Sequence, residues 1–123
     1  MILDIEFDIL PPSVNQLYRK NSHGFIYVTP KIVEFKKFVK NELSKLNLKP
    51  SIKKIRLDIV FDIKGKRNRD IDNMLKVLLD SFNKLVFEDD SQVFELHVKT
   101  NIDTKNNFTY IKAFEIDDII EIK

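Results

Sequence analysis

The sequence predicts an α+β domain of two layers, a mixed β-sheet with two amphipathic helices on one face. Three observations carry this reading. Apolar and polar residues alternate in four separate runs, two segments between them repeat apolar residues at helical spacing, and 123 residues suit one domain better than two independent cores. With no internal repeat, linker or low-complexity tract, residues 1–123 are read as a single domain. Hydrophobic residues make up 43% and charged residues 33%, so a core is available beneath an ionic surface and global disorder is excluded.

Leu3, Ile5, Phe7 and Ile9 alternate with Asp4, Glu6 and Asp8, the period of a strand with one buried face. Pro11 and Pro12 stop it. The polar stretch through Asn15, Tyr18, Arg19, Lys20, Asn21 and Gly24 reads as an exposed loop, followed by a short edge strand over Phe25 to Val28. Thr29 and Pro30 form a helix start, a hydroxyl cap before a proline whose missing N–H is harmless there. Phe35, Phe38, Val39, Leu43 and Leu46 share one side of that helix, which should end near Asn47, before Pro50. Ile55, Leu57, Ile59, Phe61 and Ile63 define the next strand, and Lys64 to Arg69 is a basic connection containing Gly65. In the second helix Ile71, Leu75, Leu78, Phe82 and Leu85 lie within about 80° of one another, and Asp72, Lys76, Asp80 and Asn83 occupy a different face, free for chemistry. Phe94, Leu96 and Val98 mark a third long strand, Asn101 to Asn107 a turn, and Phe108, Tyr110, Lys112, Phe114 and Ile116 a fourth, so the last two are expected to pair as a hairpin.

The absence of cysteine excludes a disulfide framework and a thiolate zinc site, and fits a reducing, cytoplasmic setting. His23 and His97 are too few and too far apart in sequence for a histidine-rich centre, so a bound metal would be held by oxygen. Apolar runs fall short of the roughly 18 to 20 residues that span a bilayer, and the acidic alternation of Met1 to Leu10 is not expected of a signal peptide, so no membrane partner is expected. The net charge of +2 hides an asymmetry: residues 1–69 carry 15 Lys and Arg against 7 Asp and Glu, whereas residues 70–123 carry 6 against 12. One half is suited to polyanions and the other gathers carboxylates.

Chemistry concentrates around Asp70 and Asp72. One residue apart, they converge only if Asp70 precedes the helix, as a cap would. A purely structural reading stands beside the chemical one: Asp70 caps, Asp72 complements the helix dipole, and Asp72 pairs with Lys76 four residues on. Glu88, Asp89 and Asp90 add carboxylates before the third long strand. Clustered carboxylates repel phosphate, but a hard divalent cation between them, Mg²⁺ or Mn²⁺, turns the cluster into a site that accepts one. Lys64, Lys66, Arg67 and Arg69, adjacent to the acidic pair, suit phosphate contacts that position a strand without reading its bases. Lys36, Lys37 and Lys40 would extend that footprint. Asn15, Tyr18 and Arg19 could approach the same site, with Tyr18 able to stack on a base. His23 and His97 are assigned no role.

Asp70, Asp72, Asn73, Lys76 and Asp80, then Asp89, Asp90 and Gln92, together with Pro12, Ser13, Asn15, Tyr18 and Arg19, resemble the RusA family of Holliday-junction resolvases over Leu10 to Gln92. The resemblance implies that Asp70, Asp72 and Asp90 are metal-binding catalytic carboxylates, with Lys76 a supporting cation and Asn73 near the DNA. It further implies a magnesium-dependent homodimer, selective for four-way DNA junctions and free of any organic cofactor. Helix geometry adds a constraint. Asp72 and Asp80 stand roughly 12 Å apart along the axis, too far to bind one ion together, and a helix to Leu85 is about 20 Å long, which carries Asp90 to the far end. A two-fold dimer with antiparallel second helices could bring Asp90 of one subunit to Asp70 and Asp72 of the other. Three alternatives remain: a nonenzymatic nucleic-acid module, a Ca²⁺-binding structural protein, disfavoured because no loop has EF-hand spacing, and a metal nuclease acting on flaps or duplex DNA.

Overall fold

In the computed structural model, which describes residues 1–13, 18–20, 23–24, 26–28, 30–67 and 69–117, the alternating run in the middle of the chain organises the domain. Strands β1 (Leu3–Phe7), β2 (Tyr18–Lys20) and β3 (Ile26–Val28) precede helix α1 (Pro30–Ser44). Strand β4 (Lys54–Lys64), helix α2 (Ile71–Phe82), a 3₁₀ turn (Asp90–Gln92) and strands β5 (Val93–Thr104) and β6 (Phe108–Ile116) complete the order. Ile55, Leu57, Ile59, Phe61 and Ile63 of β4 are buried, while the residues between them face the other side of the sheet. Against them pack Ile32, Phe35, Val39 and Leu43 of α1 and Met74, Val77, Leu78 and Phe82 of α2, all within one cluster. Both helices therefore cover the same face, as the pattern predicts.

The sheet order is β1-β6-β4-β5, with β4 and β5 parallel and the other neighbours antiparallel. The expected hairpin between the last two strands does not form. Strand β4 lies between them: Ile59, for example, has Val98 of β5 on one side and Ile111 of β6 on the other. The strand with the most complete apolar face takes the centre, where both edges are paired, and a β4–α2–β5 crossover delivers β5 to its outer edge. The segment read as an exposed loop contains β2, paired antiparallel with β3 in a separate small sheet.

Boundaries and faces shift as well. Helix α1 ends at Ser44 and leaves Leu46 exposed. Phe38, half-buried, meets Phe7 edge-on with ring centroids 5.3 Å apart. In α2 the buried sector runs through Met74, Val77, Leu78, Ser81 and Phe82, rotated by about 50° from the expected one, because the helix packs against both the sheet and α1. It stops at Phe82 rather than Leu85: Asn83 ends the helix, Lys84 turns left-handed at φ 68°, and the Lys84 N–H donates to the Phe87 carbonyl at 2.7 Å. Strand β5 runs to Thr104, four residues into the expected turn.

Candidate functional site

Helix α2 begins where the basic connection from β4 ends. Asp70 is its cap, in extended conformation, and its Oδ1 accepts the Asp72 N–H at 3.0 Å. The arrangement follows from local chemistry, since a carboxylate before a helix satisfies an orphan N–H and meets the positive end of the dipole. Asp70 therefore sits outside the helix and Asp72 in its first turn, as convergence requires, and both are exposed. One oxygen of Asp70 is engaged by the cap.

Lys76 lies one turn further on, but its Nζ pairs with Asp80 Oδ1 at 3.4 Å rather than with Asp72. The bridge is largely solvated and long, so it holds the ammonium weakly. Its consequence is that Asp72 keeps its carboxylate free of an intrahelical partner, and Asp80 takes a structural position beside Lys76. Asn73, next to Asp72, is half-buried.

Gly65 makes the basic turn possible, with φ 90° in the region open to glycine, and its carbonyl accepts the Asp103 N–H at 2.6 Å. The Lys64 N–H donates to Asn107 Oδ1 at 2.7 Å, which fixes the turn to the end of the β5–β6 connection. Lys64, Lys66 and Arg67 are exposed around it. Arg69 differs from these. Its Nη2 donates to the Pro11 carbonyl at 3.0 Å, and burial lowers its pKa from the ordinary value. Arg69 therefore ties the start of α2 to the amino-terminal segment and, with Leu10, Pro12, Lys31 and Phe35, lines a groove there. Lys36, Lys37 and Lys40 are exposed on α1. Asn15 lies outside the described residues, and for Tyr18 and Arg19 only their place in β2 is described. His23 and His97 are both exposed.

Asp90 opens the 3₁₀ turn before β5, at the opposite end of α2. Asp89 caps this turn and accepts the Ser91 N–H at 3.0 Å, and the hydrogen bonds from Ser91 hold the Asp89 carboxyl below its ordinary pKa. Gln92 supplies a latch that spacing alone did not reveal. Its Oε1 accepts the Asp89 N–H at 2.9 Å, and its Nε2 donates to the carbonyls of Ser51 at 2.7 Å and Lys53 at 2.9 Å. The Asp90 turn is thereby fastened to the beginning of β4, whereas Asp70 follows the end of β4. Eleven strand residues and the twelve of α2 lie between those ends, about 18 Å along the helix. One subunit does not gather Asp70, Asp72 and Asp90, and among the described residues no group of three or more His, Cys, Asp or Glu side chains is placed to hold a metal.

The domain is thus a mixed-sheet α+β scaffold that presents an acidic helix start beside a basic turn at one end and a latched acidic turn at the other. By comparison with known proteins, the chain belongs to the RusA endodeoxyribonuclease family, whose model matches residues 8–113. It is 31% identical over 111 residues to a crossover junction endodeoxyribonuclease RusA of Enterobacteria phage HK97, covering 89% of this chain and 92% of that protein. The matched span contains both acidic elements. No helix among the described residues is long and apolar enough to cross a membrane.

Proposed function

We propose that the protein resolves four-way DNA junctions by divalent-metal-dependent hydrolysis of paired phosphodiesters, in recombination and repair in the cytoplasm. The observation that carries the reading is the exposed pair Asp70 and Asp72 at the start of α2, beside the basic turn, in a chain of this nuclease family. The donor set fits Mg²⁺, with Mn²⁺ as a substitute: carboxylate oxygens alone, few of them, at an exposed position where the ion can keep several waters. When bound, the metal supplies Lewis acidity and a nucleophilic water near neutral pH.

The chain's own residues do the rest. Asp70 and Asp72 hold the ion, and Asp90 completes the set from a second subunit, which the separation of the two ends of α2 within one chain supports. The active unit is then a two-fold homodimer whose two sites each take residues from both chains. Lys76, held among the described residues by the long contact to Asp80 alone, can turn to offset charge growing on the phosphoryl oxygens. Lys64, Lys66 and Arg67 seat the strand through its phosphates, and Asn15, Tyr18, Arg19 and Asn73 extend the DNA surface. Arg69 shapes that surface by holding Pro11.

The test is incubation of a synthetic four-way junction, a matched duplex and a flap with the purified protein, in Mg²⁺ and in chelator. Symmetric paired nicks confined to the junction and abolished by chelator are expected. Equal cutting of flap or duplex would replace the proposal with a less selective nuclease, and salt-sensitive binding without cutting in either condition would reduce the protein to a nucleic-acid-binding module.

A further inference from the structure

Strand β5 has an outer edge that no described residue pairs with. It stands at the end of the sheet order, and among the described residues its one partner strand is β4. The other edge strand, β1, has five residues and carries Asp4 and Glu6, a short acidic edge that discourages further pairing. Strand β5 has twelve and displays Phe94, Leu96 and Ile102 at 62%, 41% and 48% exposure. Between two register shifts it runs regularly from Glu95 to Asn101. Leu96 and Val98 lie on the helix-covered face, in register with Leu57 and Ile59, and Glu95, His97 and Lys99 lie on the opposite face with Arg56, Asp58 and Val60.

The order of charges on this edge specifies how a copy of itself would fit. Alternate residues turn their N–H and C=O groups to the same edge, so an antiparallel strand paired with its own copy about a two-fold axis must be centred on a residue. Centring on Glu95 or Lys99 would oppose like charges. Centring on Leu96 or Val98 would set Glu95 against His97 or Asn101. Centring on His97 sets Glu95 of each chain against Lys99 of the other, twice, and on the other face sets Leu96 against Val98, twice.

We propose that two copies of this chain join through β5, antiparallel and centred on His97, to form one continuous eight-stranded sheet. The partner is a second copy because the pattern is complementary to its own reversal in both charge and apolarity. The inference rests on the dimeric reading above and gives it a surface: this pairing carries the Asp90 end of each β5 toward the Thr104 end of the other, and Thr104 is the register partner of Lys64 at the start of the basic turn.

The test uses the natural absence of cysteine. Across an antiparallel pair, opposed Cβ atoms approach to about 4.5–5.5 Å, near disulfide reach. On mild oxidation His97→Cys should give a linked dimer, whereas Ile102→Cys, exposed on the same strand but displaced about 30 Å from its copy in this register, should not. By sedimentation, Glu95→Lys or Lys99→Glu alone should weaken the dimer about tenfold or more, and the double exchange should restore it. The restoration is the decisive arm, because Glu95 also faces Arg56 within its own chain. A monomeric wild-type protein, equal linking of both cysteine variants, or charge exchanges without effect would overturn the proposal. Junction cleavage is scored separately. A dimer that cuts junctions but fails the register tests refutes this interface alone, and a register-linked dimer that never cuts refutes the proposed activity alone.

Discussion

Asp70 is assigned two tasks, and they can be separated by substitution. Replacing it with Asn preserves a cap, since an amide oxygen accepts the Asp72 N–H as a carboxylate does, whereas Ala removes the acceptor. The structure offers one exposed capping bond of ordinary length, so Asp70→Ala should destabilise the domain by about 1 kcal/mol and Asp70→Asn by only a few tenths. At this chain length, 1 kcal/mol lowers Tm by about 4 °C. Both variants lose the charge needed to hold a hard cation, so both should abolish junction cleavage, and both should still bind the junction because phosphate repulsion is eased. The assays are thermal unfolding by circular dichroism, electrophoretic binding and junction cleavage on the same preparations. Equal destabilisation by Asn and Ala would refute the capping assignment, and wild-type cleavage by Asp70→Asn would refute the metal-ligand assignment.

Further outcomes follow from other contacts. Phe82 is fully buried and meets Phe87 edge-on at 6.4 Å, so Phe82→Ala should cost about 3–5 kcal/mol in denaturant unfolding. Gly65→Ala places a side chain at φ 90°, with open space around it, so backbone strain alone should cost about 1–2 kcal/mol, measurable in the same experiment. The Asp89 carboxyl has a depressed folded pKa, so its contribution is present above about pH 4 and is lost as pH falls through the folded value. The Tm difference between wild type and Asp89→Asn should therefore be present at pH 6 and shrink towards pH 2–3. Lys76→Gln, with only a solvated bridge to lose, should change stability by less than about 0.5 kcal/mol, while cleavage falls about 10²-fold.

Local rules made much of the molecule legible and tertiary geometry decided the remainder. The alternation in β4 was readable because one face is wholly buried, and the Asp70 cap because N-cap chemistry is set within a few residues. The β5–β6 hairpin was inferred from adjacency in sequence, but β4 competes for both strands and separates them. The packing face of α2 was drawn from its largest apolar residues, whereas Met74, Val77 and Ser81 are also buried in a helix that meets α1. Lys76 had carboxylates four residues away on both sides, and the choice of Asp80 over Asp72 is not encoded in that spacing. Composition and motif brought out the acidic residues. They did not reveal that Gln92 fastens the Asp90 turn to the start of β4 or that Asn107 fastens the basic turn, because both contacts link residues about 40 apart in sequence.

The separation of Asp90 from Asp70 and Asp72 is the feature on which the functional reading turns, and mixing subunits tests it directly. Asp70→Asn and Asp90→Asn proteins should each be inactive on the four-way junction. In a mixed dimer with shared sites, one site receives both substitutions and the other receives none, so the mixture should regain Mg²⁺-dependent nicking at one site per dimer. If each chain built its own site, every site in the mixture would carry a substitution. A mixture that exchanges subunits and remains inert would contradict the shared carboxylate centre.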